Sequence, residues 1–278
     1  MEILVNNQPA DIKIENEKTV GEVVAGIEQW LVALGHRLSG LSIDGQAMDV
    51  SLLEEAFSRE VNTIKTLGIF TSSLAELAVM SLSNLLGDLE EFDSIEFCKR
   101  NDFYESWKQT PQAVFTYEQM PDLYDLYTNY FENSGPAGNI LRTITEERLK
   151  ETEAPLEEFS NLHPQLEETC NRLIDLPLDI QTGKDGRAAM TIQLFSGIAE
   201  KIFRIYCQFN TQGFIKPDES VSRLISEFND AVKELLNAYE VQDTVLIGDL
   251  AEYEMAPRLM ELYNTINHFV SKQEVEIK

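Results

Sequence analysis

Positive charge is the scarcest commodity in this chain: 22 lysines and arginines face 48 aspartates and glutamates, a formal net charge of −26 over 278 residues. A bare phosphate backbone or an anionic bilayer surface is repelled by such a field, so neither nucleic acid nor membrane is an expected partner. Strong acidity keeps a chain dissolved and favours basic protein partners. Histidine is nearly as rare. His36, His163 and His268 are isolated, with no H-E-x-x-H or E-x-x-H spacing, and no metal site is expected. No G-x-S-x-G, Walker A or G-x-G-x-x-G segment occurs, so no catalytic residue and no cofactor is expected either. Cys98, Cys170 and Cys207 lack C-x-x-C spacing and sit in apolar-periodic stretches, where they read as reduced core residues. No uncharged apolar run approaches the ~18 residues that span a bilayer. Met1-Glu2-Ile3-Leu4-Val5 alternates without a basic or apolar leader, and a reducing cytoplasm is the expected location.

What is present begins with short strand-like runs. Residues 2–5 and Asp11–Glu15 are rich in Ile and Val and joined by the turn formers Asn6-Asn7-Gln8-Pro9, which predicts a β-hairpin. Thr19 and Glu22 have the spacing of a capping box ahead of Val23, Val24, Ile27, Trp30, Leu31 and Leu34, and Gly35 closes that helix. Trp30 and Phe57 lie on apolar stripes and are expected in the core. Leu41-Ser42-Ile43 enters an Asp44-Gly45 turn, Leu52–Phe57 reads as a short helix, and Thr63–Phe70 as a last strand.

That order of elements, carried by MEILVNN, DIKIENEKTVGEVVAGI, LSIDGQAMD and VNTIKTLGIFT, resembles the ubiquitin-like β-grasp fold over residues 1–72. The resemblance implies a docking module that offers a sheet face or an edge strand. Members that serve as covalent modifiers or sulfur carriers end in Gly-Gly, whereas here Thr71-Ser72-Ser73 runs into a helix, which removes conjugation chemistry.

From Ser73 onward 3.6-residue periodicity takes over. The stripes predict a helical region over 73–176 and a bundle over 184–278 completed by the 155–176 helix. Its centre is Arg187–Gln208, where rows through Ala188, Ile192, Phe195, Ala199, Ile202 and Tyr206 and through Leu194, Ile198 and Ile205 are wide enough to be enclosed. Ile174–Gly186, with Pro177, reads as a linker, Glu146–Lys150 as a solvated face, and Pro257 as a bend in the last helix. The fold class is α+β: an amino-terminal β-grasp domain, then an all-α region ending in a four-helix bundle.

Three segments are candidate sites. Gly183, Lys184, Gly186 and Arg187 join glycines, cations and a helix amino end, the ingredients of a small-anion site; the bland alternative is a turn with Asp185 as cap. Tyr124, Tyr127, Tyr130 and Phe131 belong to the most aromatic stretch, which suits either a partner groove, a homodimer interface or packing against the sheet domain. Asp249, Glu252 and Glu254 crowd an apolar helix, as a metal or basic-partner site or as an acidic outer face. The expected function is a non-enzymatic, cytoplasmic protein–protein interaction factor: an adaptor, a regulator, or a factor similar in general character to bacterial export chaperones. The alternative is an enzyme or sensor that binds a small anion at Lys184 and Arg187.

Overall fold

Left-handed backbone at asparagine and aspartate sets the register of the amino-terminal sheet. Asn6 and Asn7 have φ of 48° and 64°, and Asp44 and Gly45 have 50° and 82°; positive φ at both central residues is what a tight hairpin turn demands. The computed structural model describes residues 1–12, 16–48, 52–133, 138–215 and 218–276. The first turn joins β1 (Glu2–Val5) to β2 (Gln8–Pro9), and the second joins β3 (His36–Ile43) to β4 (Gln46–Ala47). The second strand therefore begins right after Asn7, earlier than the expected Asp11–Glu15, because the paired asparagines complete the turn themselves. Residues 13–15 of that expected strand lie outside the described residues.

With β5 (Thr66–Ser73) the sheet is mixed, in the order β2-β1-β5-β3-β4; β1 and β5 run parallel, with Ile3 opposite Leu67, and the other pairs are antiparallel. Helix α1 (Val20–Ala33) starts on a complete Thr19–Glu22 capping box, and Gly35 (φ 74°) follows its end. Its Val20, Val23, Val24, Ile27 and Leu31 meet Ile3, Leu41, Ile43, Leu67 and Ile69 in one core, joined by Ala56 of α2 (Leu53–Ser58). Phe57 packs against this core, but Trp30 is 53% exposed: it sits beyond the edge of the stripe that faces the sheet.

Ser73 ends β5 and caps α3 (Leu74–Ser94), donating its backbone N–H to Glu76 at 2.8 Å while Glu76 N–H reaches its hydroxyl at 3.2 Å. Prolines divide the next helices: Pro111 opens α5 (Pro111–Gln119) after α4 (Arg100–Trp107), and Pro121 opens α6 (Pro121–Asn133). The chain divides into two compact units, Met1–Arg142 and Thr143–Lys278, with the boundary inside α7 (Gly138–Glu153).

The second unit holds α8 (Pro155–Asn161), α9 (His163–Gln181), α10 (Asp185–Thr211), α11 (Glu219–Glu240), α12 (Thr244–Leu250) and α13 (Ala256–Glu276) around one apolar core. Three expectations change here. Pro177 does not make a linker; α9 runs through it to Gln181, and its ring packs against Gly248 of α12, where a Cβ would stand 3.1 Å away. Helix α10 is not enclosed: Phe195, Ile202, Ile205 and Phe209 are buried, while Met190 and Leu194 remain exposed. Cys98 and Cys207 are exposed, and only Cys170 of the three cysteines is buried. No helix among the described residues is long and apolar enough to cross a membrane.

Candidate functional site

The turn Thr182–Lys184 brings both candidate cations back onto the helix they have just left. Asp179, on the last turn of α9, is buried with a side chain only 4% exposed, and it accepts from Lys184 Nζ at 3.3 Å and pairs with Arg187 Nε at 3.1 Å. Both cations that a small anion would need are already engaged by an internal carboxylate. Gly183 supplies the left-handed residue of the turn, with φ 67°. Lys184, not Asp185, is the helix N-cap, and its side chain does not cap; Asp185 falls in the first turn. Gly183, Lys184, Gly186 and Arg187 thus form a self-satisfied helix junction.

Three of the four aromatic candidates are interior, and Tyr124 is half-buried. Tyr127, Tyr130 and Phe131 are 0%, 8% and 3% exposed, so their faces are not available to a groove or to a homodimer. Nor do they pack on the sheet, because the rings close on one another. Phe131 meets Phe92 at 4.6 Å and Trp107 at 4.9 Å between centroids, and Trp107 stacks over Tyr124 and Tyr127. The polar edges are met internally: Tyr130 donates its hydroxyl to Asp93, and Trp107 Nε1 donates to Asp88 at 2.9 Å. Burial, reinforced by the Asp93 bond, pushes the Tyr130 phenol up to about 12. A run this rich in tyrosine reads alike as core or as contact surface; which one it becomes depends on whether a partner ring arrives from elsewhere in the chain, as Phe92 and Trp107 do.

Asp249, Glu252 and Glu254 do not converge. Glu254 binds Arg258 Nε at 2.7 Å, Glu252 accepts from the Tyr253 hydroxyl, and Asp249 stands exposed. Among the described residues no cluster of three or more His, Cys, Asp or Glu side chains could hold a metal ion. The backbone explains the divergence. Pro257 has no N–H to offer the Tyr253 carbonyl, and Ala251–Met255 widens into a π-helical turn in which Ala256 N–H reaches back to Ala251. The extra residue rotates the register, so Ala251 and Met255 are fully buried and Tyr253 is 65% exposed.

Two surfaces escaped the sequence reading. Beside the π-helical turn, a cavity of about 450 Å³ between α9 and α13 is lined by Glu167, Cys170, Asn171, Ile174, Glu252, Ala256, Pro257 and Met260. It shares Pro257 and Met260 with a second of about 530 Å³, which continues along α13 past Glu261 to His268. In the first of these the Cys170 thiol donates to the Ala256 carbonyl at 3.5 Å and is pushed up to about 11 by burial, which leaves it protonated at neutral pH. In the amino-terminal unit, Trp30 with Ile12, Val23, Gly26 and Ile27 lines an apolar hollow of about 470 Å³ flanked by Asp11 and Glu17. A buried ion pair was missed as well: Glu151, its side chain 3% exposed, takes both Arg204 Nε and a terminal nitrogen at 2.9 Å. Its signal was position alone: Glu151 stands seven residues, about two helical turns, beyond Ile144.

Comparison with known proteins follows the same division. Residues 1–73 match the family described as TP0873 N-terminal domain. Residues 156–265 match a domain of unknown function, DUF8042. An uncharacterized protein of Treponema pallidum (strain Nichols) is 22% identical over 269 residues, covering 96% of this chain and 97% of its own length. No solved structure matches significantly. The first match ends where β5 passes into α3, and the second runs from α8 to about the middle of α13.

Proposed function

We propose that this protein is a non-enzymatic interaction factor that binds a protein partner in the cytoplasm. The observation that carries the reading is the set of large apolar side chains left in solvent on the carboxyl-terminal unit: Ile174 at 49%, Leu178 at 57%, Leu236 at 57%, Val241 at 74%, Val245 at 70% and Tyr253 at 65% exposed. Apolar side chains held in solvent carry a solvation cost that burial under a partner offsets. The net charge of −26 favours a basic partner over nucleic acid or an anionic membrane. The mixed sheet, with a parallel β1–β5 pair and α1 on one face, supports a ubiquitin-like reading of residues 1–72 and hence a second docking module. The small-anion alternative is the weaker, because Asp179 already pairs with both Lys184 and Arg187.

The test is affinity purification of the full-length chain from its native cell, followed by reconstitution with the recovered protein. A stoichiometric complex that survives Lys184→Ala with Arg187→Ala supports the reading. Thermal stabilisation by a phosphorylated or carboxylated metabolite, abolished by the same two changes, overturns it in favour of the anion site.

A further inference from the structure

We infer that the cavity between α9 and α13, with the face of α13 that continues it, is a seat for an amphipathic helix bearing lysine or arginine along its flanks. This deepens the interaction reading by assigning a place and a chemistry to the partner. The cavity walled by α9 and α13 shares Pro257 and Met260 with a second that is lined by α13 alone, so the depression has two walls beside the π-helical turn, at Glu252, and opens along one face of α13 as far as His268. Sixteen residues of helix rise roughly 24 Å, the length of about four turns of a bound helix. The apolar lining is Cys170, Ile174, Ala256, Pro257 and Met260, and Asn171, Asn264, Thr265 and His268 add polar groups. The rim carries Glu167, Glu252 and Glu261, and neither lysine nor arginine is among the described residues that line it. The nearby cation, Arg258, is turned to Glu254 at 2.7 Å and Glu227 at 3.4 Å.

An apolar strip edged with carboxylates is complementary to a helix whose hydrophobic face is bordered by cations. A second copy of this chain, equally acidic, is disfavoured there by like-charge repulsion. The π-helical turn has a role in this arrangement. By widening the helix before Pro257 it buries Ala251 and Met255 and leaves Pro257 and Met260 beside Ile174 as an open floor.

The probe is a fluorescently labelled, designed Leu/Lys amphipathic helix of about four turns, titrated with the full-length protein by anisotropy. Its counterpart is the Leu/Glu peptide of the same pattern. Glu167→Lys, Glu252→Lys and Glu261→Lys together should weaken binding at least tenfold. The same charge change placed on α11, as Glu219→Lys, Glu234→Lys and Glu240→Lys, should change it less than twofold, which separates the seat from general attraction to an acidic protein. Ile174→Asp, at a half-exposed position that folding does not depend on, should also weaken binding about tenfold.

Absent binding, equal effects of the two charge-reversed sets, or equal binding of the Leu/Glu peptide overturns the inference. So does a concentration-dependent dimer in sedimentation that Ile174→Asp dissociates, since the occupant would then be a second copy. A native partner whose complex is indifferent to Ile174→Asp and to the rim reversal overturns the seat while leaving the interaction reading intact. Failure to reconstitute any protein complex overturns that reading itself.

Discussion

Asp179 decides the chemistry of its neighbourhood. A buried carboxylate beside two half-exposed cations does what a bound phosphate would do, and an anion could bind there only by displacing it. Replacing Asp179 with alanine should therefore have two effects that differ in sign with the solvent. Stability should fall by about 1–3 kcal/mol, the typical loss of a charge-assisted pair. Inorganic phosphate should then stabilise the variant in a thermal-shift titration while leaving the wild type unmoved. Phosphate stabilising the wild type equally would show that Asp179 does not occupy the site.

Tyr130 gives a second measurement. Its phenol sits at about 12 in the folded chain against an ordinary 10, so the folded state holds that proton more tightly than the unfolded state. The resulting stability is fully present below pH 10 and is lost as pH rises towards 12. Tyr104 and Tyr263, also raised chiefly by burial, act in the same direction. Denaturant titrations across that range should show stability falling steadily, with a shallower fall in Tyr130→Phe; an unchanged slope would remove the assignment.

At the scale of elements, close approach and helix propensity compete at the glycines. Gly248 lies on α12 where a Cβ would meet Pro177 atoms at 3.1–3.2 Å, and a proline ring inside a helix cannot step aside. Gly197 on α10 has nothing within 4 Å of the same position. The Gly197→Ala change should stabilise by about 0.5–1 kcal/mol through helix propensity. The Gly248→Ala change should destabilise by about 1 kcal/mol despite the same propensity gain, because overpacking outweighs it. Urea midpoints of the two variants shifting in the same direction would contradict this account of the α9–α12 contact.

Elements were legible wherever one residue type does a local job. The Thr19–Glu22 box and the Gly35 and Gly45 left-handed residues could each be read from a few neighbouring letters, because their hydrogen bonds close within the same turn. What could not be read is everything set by a distant neighbour. Pro177 stays helical because Gly248 leaves room for it, Tyr253 turns outward because a proline four residues on removes one N–H, and Tyr127, Tyr130 and Phe131 are interior because Phe92 and Trp107 come to meet them. The candidate site suffered most from this. Lys184 and Arg187 looked like free cations because their partner, Asp179, appeared to belong to a linker.

For the whole molecule, the excess of acidic groups sets a balance between long-range repulsion and short-range pairing. Exposed ion pairs such as Arg59–Glu55 and Lys233–Asp230 contribute about 0–1 kcal/mol each and are weakened by salt. The net charge of −26 acts over greater distances and opposes the compact state at every separation within a Debye length. Raising ionic strength from about 0.01 to about 0.1 M shortens that length from about 30 to about 10 Å, which removes the long-range term while leaving contact pairs partly intact. Stability should consequently rise with salt by about 1 kcal/mol, a few degrees in a calorimetric midpoint. Affinity for the Leu/Lys helix should move the opposite way over the same range, since the rim carboxylates attract it from solvent. The pair of measurements is stronger than either alone: melting temperature and peptide affinity falling together would mean that contact pairs, and not the net charge, govern this molecule's electrostatics.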